Sequence, residues 1–393
     1  MAMSPSSMTA PAVDVDEASG ALASSGATVR PSSFVEFLLV GGATPFVFPL
    51  AWLLRRVVGI DDAEFALGFS TFYAAFVIND PHFAVTYCLF YRNFLGRTFG
   101  AAYSPWQRAR YVACGVVAPL ALAAWAGAAL ATKSAVALGF FIQLMFFLVG
   151  WHYVKQGFGV MIVLAARRGV RFGRGERWTL LAHCLAGWAY AWASPADPGT
   201  EVEEKGVVYT TIAHPAWLER LTHAVFLATA CLLLVVLLKK RRREGRLPLL
   251  TPLSALLASI WSWSIYSSID PLVVYVIPAL HSVQYLYFVW LLRSSEARER
   301  EGPPWFETAA RTRLAILAAS AIGLGWLLFH GAPSALDDLL VSRRQRLSGS
   351  ALGATPYFAA LYTFVNLHHF LMDSVIWRRD NPETRYLLAR ARD

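Results

Sequence analysis

Residues 135–166 read AVALGFFIQLMFFLVGWHYVKQGFGVMIVLAA, an apolar run interrupted by a single charged residue, Lys155. A helix rises about 1.5 Å per residue and the hydrocarbon core of a bilayer is about 30 Å thick, so about 20 such residues suffice to cross it. The run is overlong for one crossing, which predicts a helix that tilts or extends past the membrane. Its middle, GWHYVKQGFG (150–159), nevertheless holds His152, Lys155 and Gln156, groups that hydrocarbon penalises. A spanning helix with such a centre needs a reason for it.

The rest of the chain is of the same kind. Of 393 residues, 56% are hydrophobic, 14% aromatic and only 16% charged, whereas a soluble domain carries about 25% charged residues. This composition predicts an all-α, polytopic integral membrane helical bundle. Apolar runs at approximately 34–54, 65–91, 111–131, 135–166, 178–194, 219–238, 248–268, 270–293, 313–330 and 352–377 predict about ten transmembrane helices within residues 33–379. The seventh and eighth are separated only at Asp270-Pro271.

Most of the 35 basic residues, including KKRRREGR at 239–246, fall in alternate loops. Because basic residues are retained on the cytoplasmic side, this predicts an N-in/C-in topology and an external, acidic 195–217 loop. Residues 1–32, rich in Ser, Ala, Pro and Gly, are expected to be a disordered cytoplasmic tail, and 380–393 a cytoplasmic C-terminal tail. The net charge of +9 then belongs to topology signals that also touch anionic lipid, with no nucleic acid as partner. The expected location is the plasma (inner) membrane. Cys88, Cys114, Cys184 and Cys231 lie in or beside apolar runs without CxxC spacing and read as small apolar fillers.

Polar residues inside the runs concentrate in four stretches: INDPHFAVTY (78–87), GWHYVKQGFG (150–159), ALHSVQYLYF (279–288) and NLHHFLMD (366–373). All four lie in even-numbered runs, so all four helices run from outside to inside. His82, His152, His281 and His369 precede the next cytoplasmic arginine (Arg92, Arg167, Arg293, Arg378) by nine to fifteen residues, which is about 14–22 Å of helix. Four helices thus place imidazole in one layer. Each histidine shares a face with a polar neighbour: Asn79 and Thr86 with His82, Lys155 and Gln156 with His152, Gln284 and Tyr285 with His281, Asn366 and Asp373 with His369. His368 points about 100° away from that last stripe. Pro81 is expected to kink its helix and free a carbonyl beside His82.

One intramembrane histidine is ordinarily a hydrogen-bonding link between helices. Four at common depth, with a carboxylate, point to a functional path. His183, His223 and His330 lack such partners and read as interfacial, and His214 falls in the external loop. Trp151, Trp263 and Trp377 read as packing or belt residues. There is no phosphate loop, GxSxG elbow, HExxH or dinucleotide glycine pattern.

Imidazole with carboxylate is the donor set of iron, zinc, copper or manganese, and a bound cation makes the burial of these groups intelligible. The candidate ligands are His82, His152, His281 and His369, with His368 as the substitute if the last helix is rotated. Asp373 is a fifth ligand or a catalytic group, and Lys155 and Gln156 would hold a polar end of the substrate or an oxygen-derived anion. Asn79, Gln284, Tyr285 and Asn366 would orient the ligands. Fe(II) fits best in a membrane where oxygen and apolar substrates concentrate, while zinc, or haem between two facing histidines, stays open.

The placing of Pro81-His82, of Trp151-His152-Tyr153 with Gln156, and of His281-Ser282 resembles the Brp/Blh membrane family of β-carotene 15,15′-dioxygenases. That resemblance implies a non-haem iron enzyme whose metal is held by histidines from several spans. Tyr285 stands where the family's late histidine pair has its second member, and NLHHFLMD has no counterpart in it. The sequence therefore predicts a metal-dependent oxygenase, desaturase or hydroxylase acting on a lipid or isoprenoid. The alternatives are a transporter with a His/Asp/Lys substrate or proton path, and a membrane scaffold or assembly factor.

Overall fold

A computed structural model describes residues 33–195, 198–245, 250–265, 271–342 and 352–388. The expected N-terminal tail, Asp270 at the boundary of the seventh and eighth runs, and the last residues of the C-terminal tail lie outside the described residues.

Among the described residues the regular structure is helical apart from one hairpin. The described parts of the apolar runs are mostly helix, but among the described residues five helices are by themselves long and apolar enough to cross a membrane: Pro105–Ala131, Ala135–Arg167, Ala216–Glu244, Leu272–Glu301 and Ala310–Leu340. A sixth is added if Ser33–Gly42 and Thr44–Val58, bent by 60° to one another, count as one. The bend is made at Gly41, whose φ of 129° lies where side chains are strained.

The second run differs from expectation. It is two helices, Ile60–Ala75 and Asn79–Tyr91, and Pro81 sits in the first turn of the second. There its missing N–H would have no partner in any case, so it starts a helix and kinks none.

At the centre lie Ala135–Arg167 and Pro271–Glu301, flanked by Asn79–Tyr91 and Pro356–Ile376. The apolar window of Leu272–Glu301 is 56% buried, whereas that of Ala216–Glu244 is 11% buried, which separates an inner helix from an outer one. The outer faces carry Val57, Phe65, Phe69, Leu120, Val136 and Leu232 exposed, a surface that suits lipid. Inner helices approach closely where one partner has no side chain. A Cβ on Gly157 would lie 2.5 Å from Ser259 Cβ, and one on Gly325 would lie 2.7 Å from the carbonyl carbon of Asp80.

Among the described residues, Leu38–Gly42, Ala113–Val117, Ala258–Ile265 and Leu327–Gly331 are π-helical. Such turns leave carbonyls for other partners to take. His368 Nε2 is 2.9 Å from the Cys114 carbonyl oxygen and the Tyr91 hydroxyl donates to that of Gly115 at 2.9 Å.

The hairpin pairs Glu201–Glu204 with Val207–Thr210, antiparallel, through Lys205 and Gly206. Both turn residues have positive φ (53° and 83°), the backbone of a tight two-residue hairpin. Val207 and Tyr209 are buried, and the Lys205 ammonium lies 4.9 Å over the Tyr362 ring. The hairpin is thereby fastened to the His152 and His369 helices, whose own positions set the site.

The C-terminal segment also folds. Pro382–Thr384 and Arg385–Leu388 are helical, and Tyr386 and Leu387 are buried. Glu383 takes three hydrogen bonds from the buried Arg97 guanidinium, from Nε at 2.9 Å and from Nη2 at 2.6 and 2.7 Å.

Candidate metal centre

Helical spacing on four separate helices brings His82, His152, His281 and His369 together. Their ring centroids are 4.5 Å apart for His82 and His369, 5.0 Å for His82 and His281, 4.9 Å for His152 with each of His281 and His369, and 6.4 Å for His82 and His152. All four rings are buried. The Nε2 atom of His152 is 3.1 Å from that of His281 and 3.3 Å from that of His369.

Asp373, one turn beyond His369, completes the group. Its Oδ2 lies 3.3 Å from His369 Nε2 and 3.7 Å from His152 Nε2. His82, His152, His369 and Asp373 each present one donor atom, and these atoms all lie within 4.8 Å of one another. This set could hold a metal ion. At a metal–nitrogen distance of about 2.1 Å, neighbouring donors stand about 3.0–3.4 Å apart, and the His152–His281 and His152–His369 separations fall in that range. Two donor atoms, His82 Nε2 and Asp373 Oδ2, are buried without a hydrogen-bond partner. Buried polar atoms ordinarily have one, and an ion held by these two donors would satisfy both.

The groups behind the donors fix their orientation. Asp373 Oδ1 accepts from the Tyr285 hydroxyl at 2.7 Å and from Trp377 Nε1 at 3.2 Å, and the same hydroxyl lies 2.5 Å from Thr86 Oγ1. Oδ2 is left facing the histidines. His82 Nδ1 is 3.0 Å from Ser282 Oγ, which donates to Asn79 Oδ1 at 3.0 Å. Gln156 donates to Gln284 Oε1 at 2.8 Å and to the His281 carbonyl at 3.3 Å, and Gln284 donates to the Val40 carbonyl at 2.6 Å. Apolar rings close the surroundings: Phe370 stacks on His152 with centroids 4.7 Å apart, Phe83 lies against His369 at 4.6 Å, and Tyr153 against His281 at 4.3 Å.

Three residues expected at the site are elsewhere. His368 faces another helix, with Nδ1 3.1 Å from the Tyr87 hydroxyl and Nε2 on the Cys114 carbonyl, because one residue along a helix turns the side chain about 100°. Lys155 lies with its ammonium 5.9 Å over the Phe158 ring, and the donors to the Asp373 carboxylate are Tyr285 and Trp377. Asn366 donates to the Tyr362 carbonyl of its own helix at 2.8 Å, so its amide is spent locally. Gln156 braces the His281 backbone, and Gln284 acts on it only through Gln156, so both reach that histidine by its main chain and not by its ring. Asn79 acts through Ser282, and Tyr285 through Asp373.

The sequence reading missed Ser282 and Trp377 as partners, and Thr86, read as a neighbour of His82, meets the Tyr285 hydroxyl. It also missed a second pair: the buried Asp80 has Oδ2 2.8 Å from Nε2 of the partly buried His330, and Phe76 stacks on the His330 ring with centroids 4.1 Å apart. His330 is thus not without a partner. Neither is His183, fully buried against Phe226 with Nδ1 3.1 Å from Thr229 Oγ1. A signal for Ser282 existed, since it adjoins His281 within a span; Asp80 and His330 are far apart in sequence and carry none.

A scan against protein-family models found no match, and searches of curated proteins and of solved structures found none either. The geometry of the cluster is therefore the ground for any functional reading.

Proposed function

We propose that the chain is a membrane-embedded, metal-dependent oxidoreductase of the oxygenase, desaturase or hydroxylase kind, acting on a lipid or isoprenoid. The observation that carries this reading is the convergence of one donor atom each from His82, His152, His369 and Asp373, all buried and all within 4.8 Å of one another, with His281 Nε2 3.1 Å from His152 Nε2. Donors from three helices gathered this closely suit a bare ion better than a haem. Imidazole and carboxylate without thiolate favour non-haem iron over softer-ligand metals. Bound iron would supply one-electron redox chemistry and dioxygen activation at the cluster.

The protein's own part is to hold and shield. Tyr285 and Trp377 occupy Asp373 Oδ1, which leaves this carboxylate as a ligand and not as a free general base; a hydrolytic zinc site would want such a base. Phe83, Phe370 and Tyr153 exclude water and offer an apolar substrate its surroundings. The likeness of the Pro81-His82, Trp151-His152-Tyr153 and His281-Ser282 motifs to the carotene-cleaving dioxygenase family supports the same class. The topology that goes with it is ten spans, N-in/C-in, in the plasma (inner) membrane, with basic cytoplasmic loops on anionic lipid.

The test is elemental analysis of the full chain purified without chelator. Iron near one per chain, lost in His369→Ala and in His82→Ala while the protein still inserts, is the expected result. Protein with no stoichiometric transition metal overturns the reading. The Asp80–His330 pair favours a second one, a transporter with a proton path; metal-free protein that catalyses proton-coupled uptake in vesicles would establish it.

A further inference from the structure

Ser282 follows His281 directly, yet it serves a different helix. Its hydroxyl is fully buried and has two neighbours, Asn79 Oδ1 at 3.0 Å and His82 Nδ1 at 3.0 Å. A serine hydroxyl owns one proton. Asn79 Oδ1 can only accept, so that proton goes to Asn79, and the contact with His82 requires a proton on Nδ1. Imidazole in its neutral form carries one N–H. Nε2 of His82 is then a bare lone pair, and it is the nitrogen that is buried without a partner, in a ring whose centroid lies 4.5 Å from that of His369. The opposite tautomer would leave Nε2–H buried with no acceptor in hydrogen-bond reach, and one Ser282 proton facing two acceptors, Asn79 Oδ1 and His82 Nδ1.

We infer that Ser282, held by Asn79, is a positioning residue that fixes His82 as the Nδ1–H tautomer and presents its Nε2 lone pair to the cluster. This rests on the reading of the cluster as a metal site, but its structural half does not. Of the other rings, His281 and His369 have Nδ1 atoms that are buried and unpartnered. His82 is thus a ligand orientated before any cation arrives, and one helix supplies both a cluster imidazole, His281, and the hydroxyl that sets the tautomer of another.

Two measurements on the full chain in lipid decide it. Nitrogen-15 spectra of histidine-labelled, metal-free protein, with the His82 signals assigned by their loss in His82→Asn, read the tautomer directly. The expected result is a protonated Nδ1 and a bare Nε2, changed in Ser282→Ala and restored in Ser282→Thr. Co²⁺ titration against a competing chelator should give affinity lowered about 10–100-fold in Ser282→Ala, as for other groups behind a metal ligand, and near wild type in Ser282→Thr. If Ser282→Ala does not fold, Asn79→Ala takes its place. Wild-type His82 with its proton on Nε2 overturns the proposal, as does a Ser282→Ala protein unchanged in both tautomer and Co²⁺ affinity. Wild-type protein that binds no Co²⁺ sinks the metal reading, while the spectrum still decides the tautomer.

Discussion

His152 Nε2 and His281 Nε2 lie 3.1 Å apart, on helices whose histidines are separated by more than a hundred residues of chain. Two imidazole nitrogens at this distance repel unless a proton or a cation lies between or beside them. His152 also meets His369 and Asp373, so it is the hub of the cluster. His152→Ala should lower Co²⁺ affinity by at least about 100-fold, and His281→Ala, which removes a partner of the hub, by about 10–100-fold. His368→Ala should leave it within the error of the titration, since that ring bonds Tyr87 and Cys114. Equal losses in all three variants would contradict this ranking.

Tyr285→Phe removes one hydroxyl from a network of four side chains, Thr86, Tyr285, Asp373 and Trp377. Asp373 Oδ1 then keeps the donor Trp377 Nε1 but loses its shortest bond. The expected cost is about 1–3 kcal/mol in stability, read as a lower melting temperature of the detergent-solubilised protein. A variant as stable as wild type would mean that the bond to Asp373 is not made in the membrane.

Gly325 lets the Ala310–Trp326 helix ride on the backbone of Asp80, two residues before His82. Gly325→Leu must push these helices apart, at a cost of about 1–3 kcal/mol. It should also weaken Co²⁺ binding although Gly325 touches no ligand, because the Asn79–Tyr91 helix moves with Asp80. Gly127→Leu, at a glycine with open space around it, is the control expected to change neither.

Glu383→Gln tests the fastening of the C-terminal segment. Arg97 is buried, and its guanidinium also donates to the Leu89 and Phe90 carbonyls. Loss of the carboxylate charge leaves a buried cation with carbonyl partners alone. About 1.5–3 kcal/mol should be lost, the worth of charged hydrogen bonds, together with faster proteolysis between 377 and 388. Unchanged protease resistance would show that Tyr386 and Leu387 hold the segment unaided.

How much of this could be read from the chain depends on the range over which each relation acts. The four cluster histidines and Asp373 were legible, because depth and helical phase follow from counting residues along single helices. The break between Ala75 and Asn79 was not, since an apolar run looks continuous and Pro81 signals a helix start as readily as a kink. Lys155 and Asn366 were placed at the site because they share a face with a histidine. Sharing a face says only which way a side chain can point; Phe158 and the Tyr362 carbonyl decided where these two went. Tyr285 is the instructive case. It shares a face with His281, and it reaches the centre through the Asp373 carboxylate, a partner that lies on another helix and leaves no trace in local spacing.

The π-helical turn at Ala113–Val117 has a consequence for how this chain tolerates insertion and deletion. A π turn amounts to one extra residue accommodated in a helix, so removing one residue there would restore regular α-helix and swing everything downstream through about 100°. Residues 118–131 would then turn a different side to the bilayer, and the Cys114 and Gly115 carbonyls would return to their own helix. His368 and Tyr91 would lose their acceptors together. A single codon in this stretch is therefore a switch between two registers of an entire transmembrane segment, and only the longer register has side chains from two neighbouring helices waiting to receive it.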